Sequence, residues 1–491
     1  MIDPIIKTKL KNIVGEKYIS DDPLELYCYS HDNVSRALSW IDNNYKLSAD
    51  LVIKPQNANQ VKEIIDIANQ EYLKIIPRGA GTSYGGQFLP IDGGIILDFN
   101  CMNKIREINT EDNSVVVEPG VLYKELGKRL RNKGRGYWIP CNPGSAEVCT
   151  IGGMIANDAS GESAIKYGTT KDYVLNLKLI LGSGHKIQLG RLVKKSVSGL
   201  DLLSLFVGSE GTLGVVTEAT LQFLALPENF LTVLGFFDSI ETAIQLAKEI
   251  KDYITPMSIE IVDQLVLSGM NSYLARLTPK IQLKVAQAAL FIRLDGDNKI
   301  ISNYAEDIVN LISNNVNPSN VKILRGIEHD YLWKARDGAG PSLVRLIRPQ
   351  KNVNTFFPAI LDFSVPFSKI LILMKEFATV MRTNNLAFTR MGHLGDGNVH
   401  LISSITLKSK SDVQKMGNIQ NDLVKLATSL GGSVTAEHGC GIWKAPYLSM
   451  EHGKEVVELM GKIKSIFDPN DVLNPGKMYT IHKLATFSNY N

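Results

Sequence analysis

The apolar positions change period repeatedly along the first half of the chain, and each change predicts an element. Ala49-Asp-Leu-Val-Ile-Lys-Pro55 reads as a short strand, and Val61, Ile64, Ile65 and Ala68 then recur at helical spacing, predicting a helix over 57–72. Strands are expected over 73–77, 94–99, 114–118 and 219–226, and a helix over 123–132 with Leu126 and Leu130 on one face. Residues 174–181 and 186–190 flank Gly182-Ser-Gly184 and read as a hairpin. Beyond Pro227 the texture changes to ordinary helices (239–253, 367–384) and strands (288–294, 360–365), so a boundary is expected there. Residues 227–440 read as a separate α+β lobe and 441–491 as a closing segment, in which a helix runs into the turn-rich Phe467-Asp-Pro-Asn-Asp-Val-Leu-Asn-Pro-Gly-Lys477.

Where neither period holds, glycine is dense. Of 40 glycines in 491 residues, 1 falls in 1–78, 22 in 79–214 and 17 in 215–491, so one stretch calls for backbone without side chains. Arg78-Gly-Ala-Gly-Thr-Ser83 follows a predicted strand directly. Its spaced glycines let successive N–H groups turn toward one anion, and Thr82 and Ser83 add hydroxyl donors, which suits a pyrophosphate. A Rossmann dinucleotide fold needs such a loop to open a helix; here it runs through Tyr84-Gly-Gly to Pro90 without helical period, which excludes that fold. Pro143-Gly-Ser145, Thr150-Ile-Gly-Gly153 and Gly208-Ser-Glu-Gly-Thr-Leu-Gly214 lie in the same half.

Composition narrows the class. Lys+Arg 53 against Asp+Glu 50, with 44 % hydrophobic and 21 % charged residues, excludes a disordered chain and a bulk nucleic-acid binder. No apolar run approaches the ~18–20 residues of a membrane helix, and Met1-Ile-Asp-Pro-Ile-Ile-Lys7 lacks a signal design, so a cytoplasmic location is expected. Five cysteines without a C-x-x-C point to reduced thiols.

Side-chain chemistry gathers in Gly392-His-Leu-Gly-Asp-Gly-Asn-Val-His400 and Thr435-Ala-Glu-His-Gly-Cys-Gly441. Two imidazoles and a carboxylate can form a His₂Glu metal site with positions open for substrate, provided the loop between His393 and His400 turns back. Equally, the two histidines can be loop-capping or core groups around a plain Asp396-Gly-Asn turn. The residues alone leave both readings open. Cys440 is most simply a small buried apolar residue.

Pro77-Arg-Gly-Ala-Gly-Thr-Ser83, Thr150-Ile-Gly-Gly-Met-Ile-Ala-Asn157, Lys166-Tyr-Gly-Thr-Thr-Lys-Asp-Tyr173 and Phe206-Val-Gly-Ser-Glu-Gly-Thr-Leu-Gly-Val-Val-Thr-Glu218 resemble the FAD-binding domain of the vanillyl-alcohol oxidase/p-cresol methylhydroxylase flavoproteins. More narrowly, residues 45–478 resemble the branch holding D-lactate dehydrogenases, glycolate oxidase flavin subunits and D-2-hydroxyglutarate dehydrogenases. The resemblance implies an α+β protein: a two-lobed FAD-binding domain over 1–226, a substrate-carrying cap with an antiparallel sheet over 227–440, and a tail over 441–491 that returns to the FAD domain. It implies FAD held by Arg78, Gly79, Ala80, Gly81, Thr82, Ser83, Pro143, Gly144, Ser145, Thr150, Gly152, Gly153, Asn157, Gly161, Gly168, Glu210, Gly211 and Val215, with Asn474 near the flavin and Lys477 a weaker candidate. Some members attach the flavin through a histidine where Thr82 stands here, so non-covalent FAD is expected. Metal-dependent members carry G-H-x-G-D-G-N-x-H and G-E-H-G, which assigns His393, His400 and Glu437 to a divalent ion, zinc or manganese, and His438 to the base. Cys440 replaces the family's usual aliphatic residue, and a thiol there could ligate or oxidise. Leu332-Trp-Lys-Ala-Arg336 resembles the family's Trp-x-x-Arg, making Arg336 the clamp for the substrate carboxylate, with Arg345 and Arg348 as nearby alternatives.

The implied activity is metal-assisted oxidation of a D-2-hydroxy acid, with hydride transfer to FAD. Members acting on 2-hydroxyglutarate carry polar residues where Gly340, Ile360 and Ile402 stand here. A second carboxylate would lack partners, so a monocarboxylate such as D-lactate or glycolate is expected. The implied acceptors are a quinone, a cytochrome, an electron-transfer flavoprotein or a partner subunit; peripheral membrane association and a homodimer are compatible with the sequence. Two other readings remain: a flavin transferase resembling alkylglycerone-phosphate synthase, and the flavin subunit of a larger complex.

Overall fold

The computed structural model describes residues 2–32, 34, 35, 38, 47–278, 281–346, 357–406 and 409–479. The chain forms two compact units. The first comprises Met1–Ser160, Thr169–Leu226 and Glu437–Asn491, and the second Gly161–Gly168 and Pro227–Ala436.

The first unit holds two sheets. Strands β1 (Ile19–Ser20), β2 (Leu51–Ile53), β3 (Ile75–Arg78) and β4 (Ile95–Asp98) form a sheet in the order β1-β2-β4-β3, with β4 parallel to both β2 and β3. Parallel neighbours need a crossover, and the helix Ala58–Gln70 follows β2 to provide it. Asn57 starts that helix by accepting the N–H groups of Asn59 and Gln60, while Val61, Ile64, Ile65 and Ala68 are buried in the core. The tail closes this sheet: Ile75 N–H donates to Val472 O (2.8 Å) and Asn474 N–H to Ile75 O (2.7 Å).

Strands β5 (Ile105–Asn109), β6 (Ser114–Val117), β7 (Tyr137–Trp138), β8 (Val174–Leu181), β9 (Lys186–Gly190), β10 (Gly214–Gln222) and β11 (Leu224–Ala225) follow. Five of them form an antiparallel sheet, β5-β6-β10-β8-β9, and β7 pairs with β11. The helix Ile151–Asn157, capped by Thr150 and ended by the left-handed Asp158, arises inside a glycine-rich stretch that carries no helical period. Glycine disfavours helix. Gly152 is needed there because a Cβ would lie 2.6 Å from the Pro119 ring and 3.0 Å from its carbonyl oxygen.

The second unit is built on one seven-stranded antiparallel sheet of β12 (Asn229–Phe237), β13 (Ser258–Asp263), β14 (Ala288–Gly296), β15 (Val321–Arg325), β16 (Phe357–Ser364), β17 (Phe388–His393) and β18 (Asn398–Ile405), ordered β15-β12-β14-β13-β17-β18-β16. Its register decides which side chains share a face. Arg293 opposes Ser258, Glu260 opposes His393, Met391 opposes His400, and His400 opposes Asp362. With a period of two along each strand, Arg293, Ser258, Glu260, His393, His400 and Asp362 all project from one side. The helix Gly326–Asp337 contributes buried His329, Trp333 and Arg336 to this unit. The segment Gly161–Gly168 belongs here too, through Glu162 to Arg293 (3.1 Å), Lys166 to Asp295 (2.6 Å) and a Tyr167–Asp295 hydrogen bond.

Candidate functional site

In the first unit the loop after β3 carries Arg78, Gly79, Ala80, Gly81, Thr82 and Ser83, and Gly81 is in the left-handed region at φ 71°. A Cβ at Gly79 would strike Thr150 Oγ1, so this loop and the Thr150 cap lie together only because residue 79 is glycine. Thr150 Oγ1 also accepts Gly153 N–H, and Gly144 has open space around it. The Arg78 guanidinium lies 4.4 Å from the Tyr29 ring, and burial lowers its pKa. Pro143 and Ser145 turn the chain through their carbonyls, onto Ala146, Val148 and Cys149.

Three buried polar atoms near these loops lack protein partners: Arg78 Nε, Asn157 Oδ1 and Asn474 Oδ1. Buried polar groups are normally satisfied. A donor, two acceptors and glycine-cleared backbone suit FAD, which brings a pyrophosphate, ribityl hydroxyls and ring N–H and acceptor groups. Not every expected cofactor residue joins them. Val215 has its side chain in the hydrophobic core, Gly211 at φ 69° packs on Pro77, and Gly161 and Gly168 belong to the second unit.

Asn157 and Glu210 also reach the strap Glu437-His438-Gly439-Cys440-Gly441. Asn157 Nδ2 donates to Glu437 O (2.8 Å), and the Glu210 carboxylate accepts Cys440 N–H (2.6 Å) and Gly441 N–H (2.8 Å). Burial pushes the Glu210 carboxyl up to about 7 against the pull of those two donors, and pushes Lys477 down to about 7. Lys477 donates to Leu89 O (2.8 Å). Burial beside Glu210 also drives the Cys440 thiol well above its ordinary pKa. His438 lies 5.0 Å from the Tyr84 ring between centroids, with Nε2 3.6 Å from Glu437 Oε1.

In the second unit the chain between the two histidines does turn back. Asn398 N–H donates to Asp396 Oδ1 (3.1 Å), Gly397 is left-handed at φ 88°, and the His393 and His400 rings come to 5.2 Å at right angles. Each ring meets a fully buried carboxylate: His393 Nδ1 is 2.7 Å from Glu260 Oε1, and His400 Nδ1 is 3.5 Å from Asp362 Oδ1. Asp362 also accepts from Asn398 Nδ2 (2.9 Å) and from Ala436 N–H (3.1 Å), the residue immediately before Glu437. Burial raises the Glu260 carboxyl, but Arg336 and His393 outweigh it and hold Glu260 below its ordinary value.

Arg336 is 8 % exposed and spends Nε (2.9 Å) and Nη2 (2.5 Å) on Glu260, with Nη1 3.8 Å from Asp337. Nη2 also lies 3.2 Å from His393 Nδ1, which leaves Nη1 as the guanidinium nitrogen with the fewest close protein partners. Arg345 lies in the helix Ala339–Leu346, as does Gly340, and Arg348 is outside the described residues. Sequence reasoning missed Glu260, Asp362 and Gln87. Glu260 carried a signal, being a carboxylate inside the apolar run Ser258-Ile-Glu-Ile-Val262.

Residues 49–190 match the FAD binding domain family, and residues 226–478 match the family of FAD linked oxidases, C-terminal domain. Glycolate oxidase subunit GlcD of Bacillus subtilis is 33 % identical over 98 % of this chain and 97 % of its own length. D-lactate dehydrogenase of Archaeoglobus fulgidus is 31 % identical (87 % and 91 %), and D-2-hydroxyglutarate dehydrogenase of Stutzerimonas stutzeri 27 % (98 % and 100 %). Among solved structures, p-cresol methylhydroxylase with substrate bound superposes with TM-score 0.76 at 15 % identity (98 % of both chains), and alkyldihydroxyacetonephosphate synthase with 0.73 at 18 % (97 % and 85 %). At those identities the superpositions show the shared fold, and the sequence relatives decide the branch. The chain belongs to the FAD-linked oxidases, as an FAD-dependent dehydrogenase of the D-lactate, glycolate and D-2-hydroxyglutarate branch.

Proposed function

We propose that this enzyme oxidises a D-2-hydroxy monocarboxylate, D-lactate, glycolate or a longer apolar homologue, to the 2-oxo acid, with non-covalent FAD and a divalent ion, zinc or manganese. The reading rests on His393, whose Nδ1 lies 2.7 Å from the Glu260 carboxylate, and on the approach of its ring to that of His400. A carboxylate on Nδ1 fixes the tautomer and ring orientation of an imidazole and frees Nε2 as the donor, the arrangement metal-ligating histidines use. His393, His400 and Glu437 would hold the ion, and the glycine loops with Asn474 would hold FAD. When bound, the ion lowers the pKa of the substrate hydroxyl and FAD accepts the hydride from Cα.

His438 takes the hydroxyl proton on its ring nitrogen. Arg336 Nη1 orients the carboxylate, and Glu260 keeps that guanidinium in place. Size selection falls to the sheet. Ile360 is paired with Ile402 in the register of β16 and β18, two residues along each strand from the Asp362–His400 pair. Two aliphatic residues there offer a second carboxylate no partner. Electrons then leave to a quinone, cytochrome, electron-transfer flavoprotein or partner subunit. Among the described residues no helix is long and apolar enough to cross a membrane, which accords with peripheral association if the acceptor lies there.

The test is anaerobic flavin bleaching by a panel of 2-hydroxy acids, alongside metal analysis and acid precipitation. D-lactate or glycolate should bleach faster than D-malate or D-2-hydroxyglutarate, and the precipitate should be colourless. Preference for a dicarboxylate, or a yellow pellet, overturns the corresponding part.

A further inference from the structure

Three glycine-rich loops of the first unit each send one side chain to the same strap. Gln87 Nε2 donates to His438 O (2.8 Å), Asn157 Nδ2 to Glu437 O (2.8 Å), and the Glu210 carboxylate accepts Cys440 N–H and Gly441 N–H. Two of the three are themselves held. Gln87 Oε1 accepts Gly85 N–H (2.9 Å), and Glu210 sits in the left-handed region at φ 52° with its carbonyl taken by Asn474 Nδ2 (2.8 Å). Gly439, at φ 78°, lets the three converge: a Cβ there would run into Asn157 Oδ1, Gln87 Nε2 and Glu210 Oε1.

We propose that Gln87, Asn157 and Glu210 are positioning residues that fix the backbone of the Glu437–Gly441 strap and thereby the place from which His438 works; this rests on the reading of His438 as the base. The physical case is entropic and geometric. Gly439 and Gly441 give the strap more backbone freedom than any other residue type would, and that freedom must be removed for a base to meet a proton within hydrogen-bond reach. A displacement of about 1 Å costs on the order of 10²-fold in rate. The four contacts are made to main-chain atoms, so they set the strap's register.

The experiment uses the full chain with Gln87→Met, which keeps length and removes the donor, and the pair Glu210→Gln and Glu210→Ala. Hydrogen exchange of the peptide covering 437–443 in the FAD-free protein should accelerate at least tenfold in Gln87→Met and in Glu210→Ala, with Glu210→Gln between them and wild type. In the holoenzyme the bleaching rate constant with D-lactate should fall at least tenfold in Gln87→Met, with KM within twofold. The order should again be wild type, Glu210→Gln, Glu210→Ala. If Glu210→Ala does not fold, Gln87→Met decides. Unchanged strap exchange and unchanged bleaching in Gln87→Met, while His438→Asn abolishes bleaching, would overturn the positioning role alone. Normal bleaching by His438→Asn would remove the base reading, and this inference with it.

Discussion

The cofactor loops of the first unit and the sheet face of the second are made of different materials. In the loops, the groups that matter are largely main chain: Gly79 and Gly153 on Thr150, the Glu437–Gly441 strap on Gln87, Asn157 and Glu210. On the sheet face they are side chains that carry charge, with Glu260, Arg336 and His393 in one buried cluster and His400 against Asp362. Backbone recognition tolerates no added Cβ where two segments touch, as at Gly79 and Gly439. Side-chain recognition tolerates bulk changes at its edge but fails when one charge loses its partner. The first arrangement protects position, the second protects charge balance.

The comparison breaks hardest at His438, the side chain of the first unit assigned to proton transfer. His438→Asn should cut anaerobic flavin bleaching by about 10³-fold, within the range for losing a general base, while FAD stays bound. Next comes Glu260→Ala, which strands the buried Arg336 and should cost ~3–5 kcal/mol in urea unfolding and weaken metal binding ~10–100-fold. A milder test is pH. Burial and the nearby Arg293 charge lower the His329 pKa from 6.5 to about 4, so the folded protein keeps this ring neutral. The unfolded chain takes the proton first as pH falls, so His329 contributes stability that is intact above about pH 6.5 and is lost toward pH 4, amounting to ~2–3 kcal/mol. Subtracting the pH–stability curve of His329→Gln from that of wild type isolates it. Smallest are the glycines themselves. Gly152→Ala should cost ~1–3 kcal/mol by pressing on Pro119, whereas Gly127→Ala, in the helix Tyr123–Arg131 with nothing within 4 Å, should gain ~0.5–1 kcal/mol. Equal effects of the two glycines would remove the claim that Gly152 is there for close approach.

Legibility in the sequence follows the same division. Elements with their own caps and period, such as Ala58–Gln70 after Asn57 and Ile240–Tyr253 after Ser239, could be read within a residue or two. The glycine loops were readable as a place where backbone meets an anion. The helix Ile151–Asn157 was not, because the glycines that permit its close packing erase its pattern. Asn157 and Glu210 were found by motif, but their contacts to the strap were not, since nothing in a local stretch reveals a partner 280 and 230 residues away. Glu260 and Asp362 have meaning only through a cross-strand neighbour, and antiparallel register brought Glu260 opposite His393 across 133 residues.

The discontinuity of the first unit has a consequence for biosynthesis. During translation the glycine loops emerge early, but Gln87 waits 351 residues for His438, and Asn474 comes 387 residues after Gln87. Meanwhile the whole of Pro227–Ala436 has been made and has its own sheet to close. A chain stalled after residue 436 therefore leaves the ribosome with its seven-stranded sheet complete and its cofactor loops still open, lacking the strand-like partner that Val472–Asn474 supplies to Ile75.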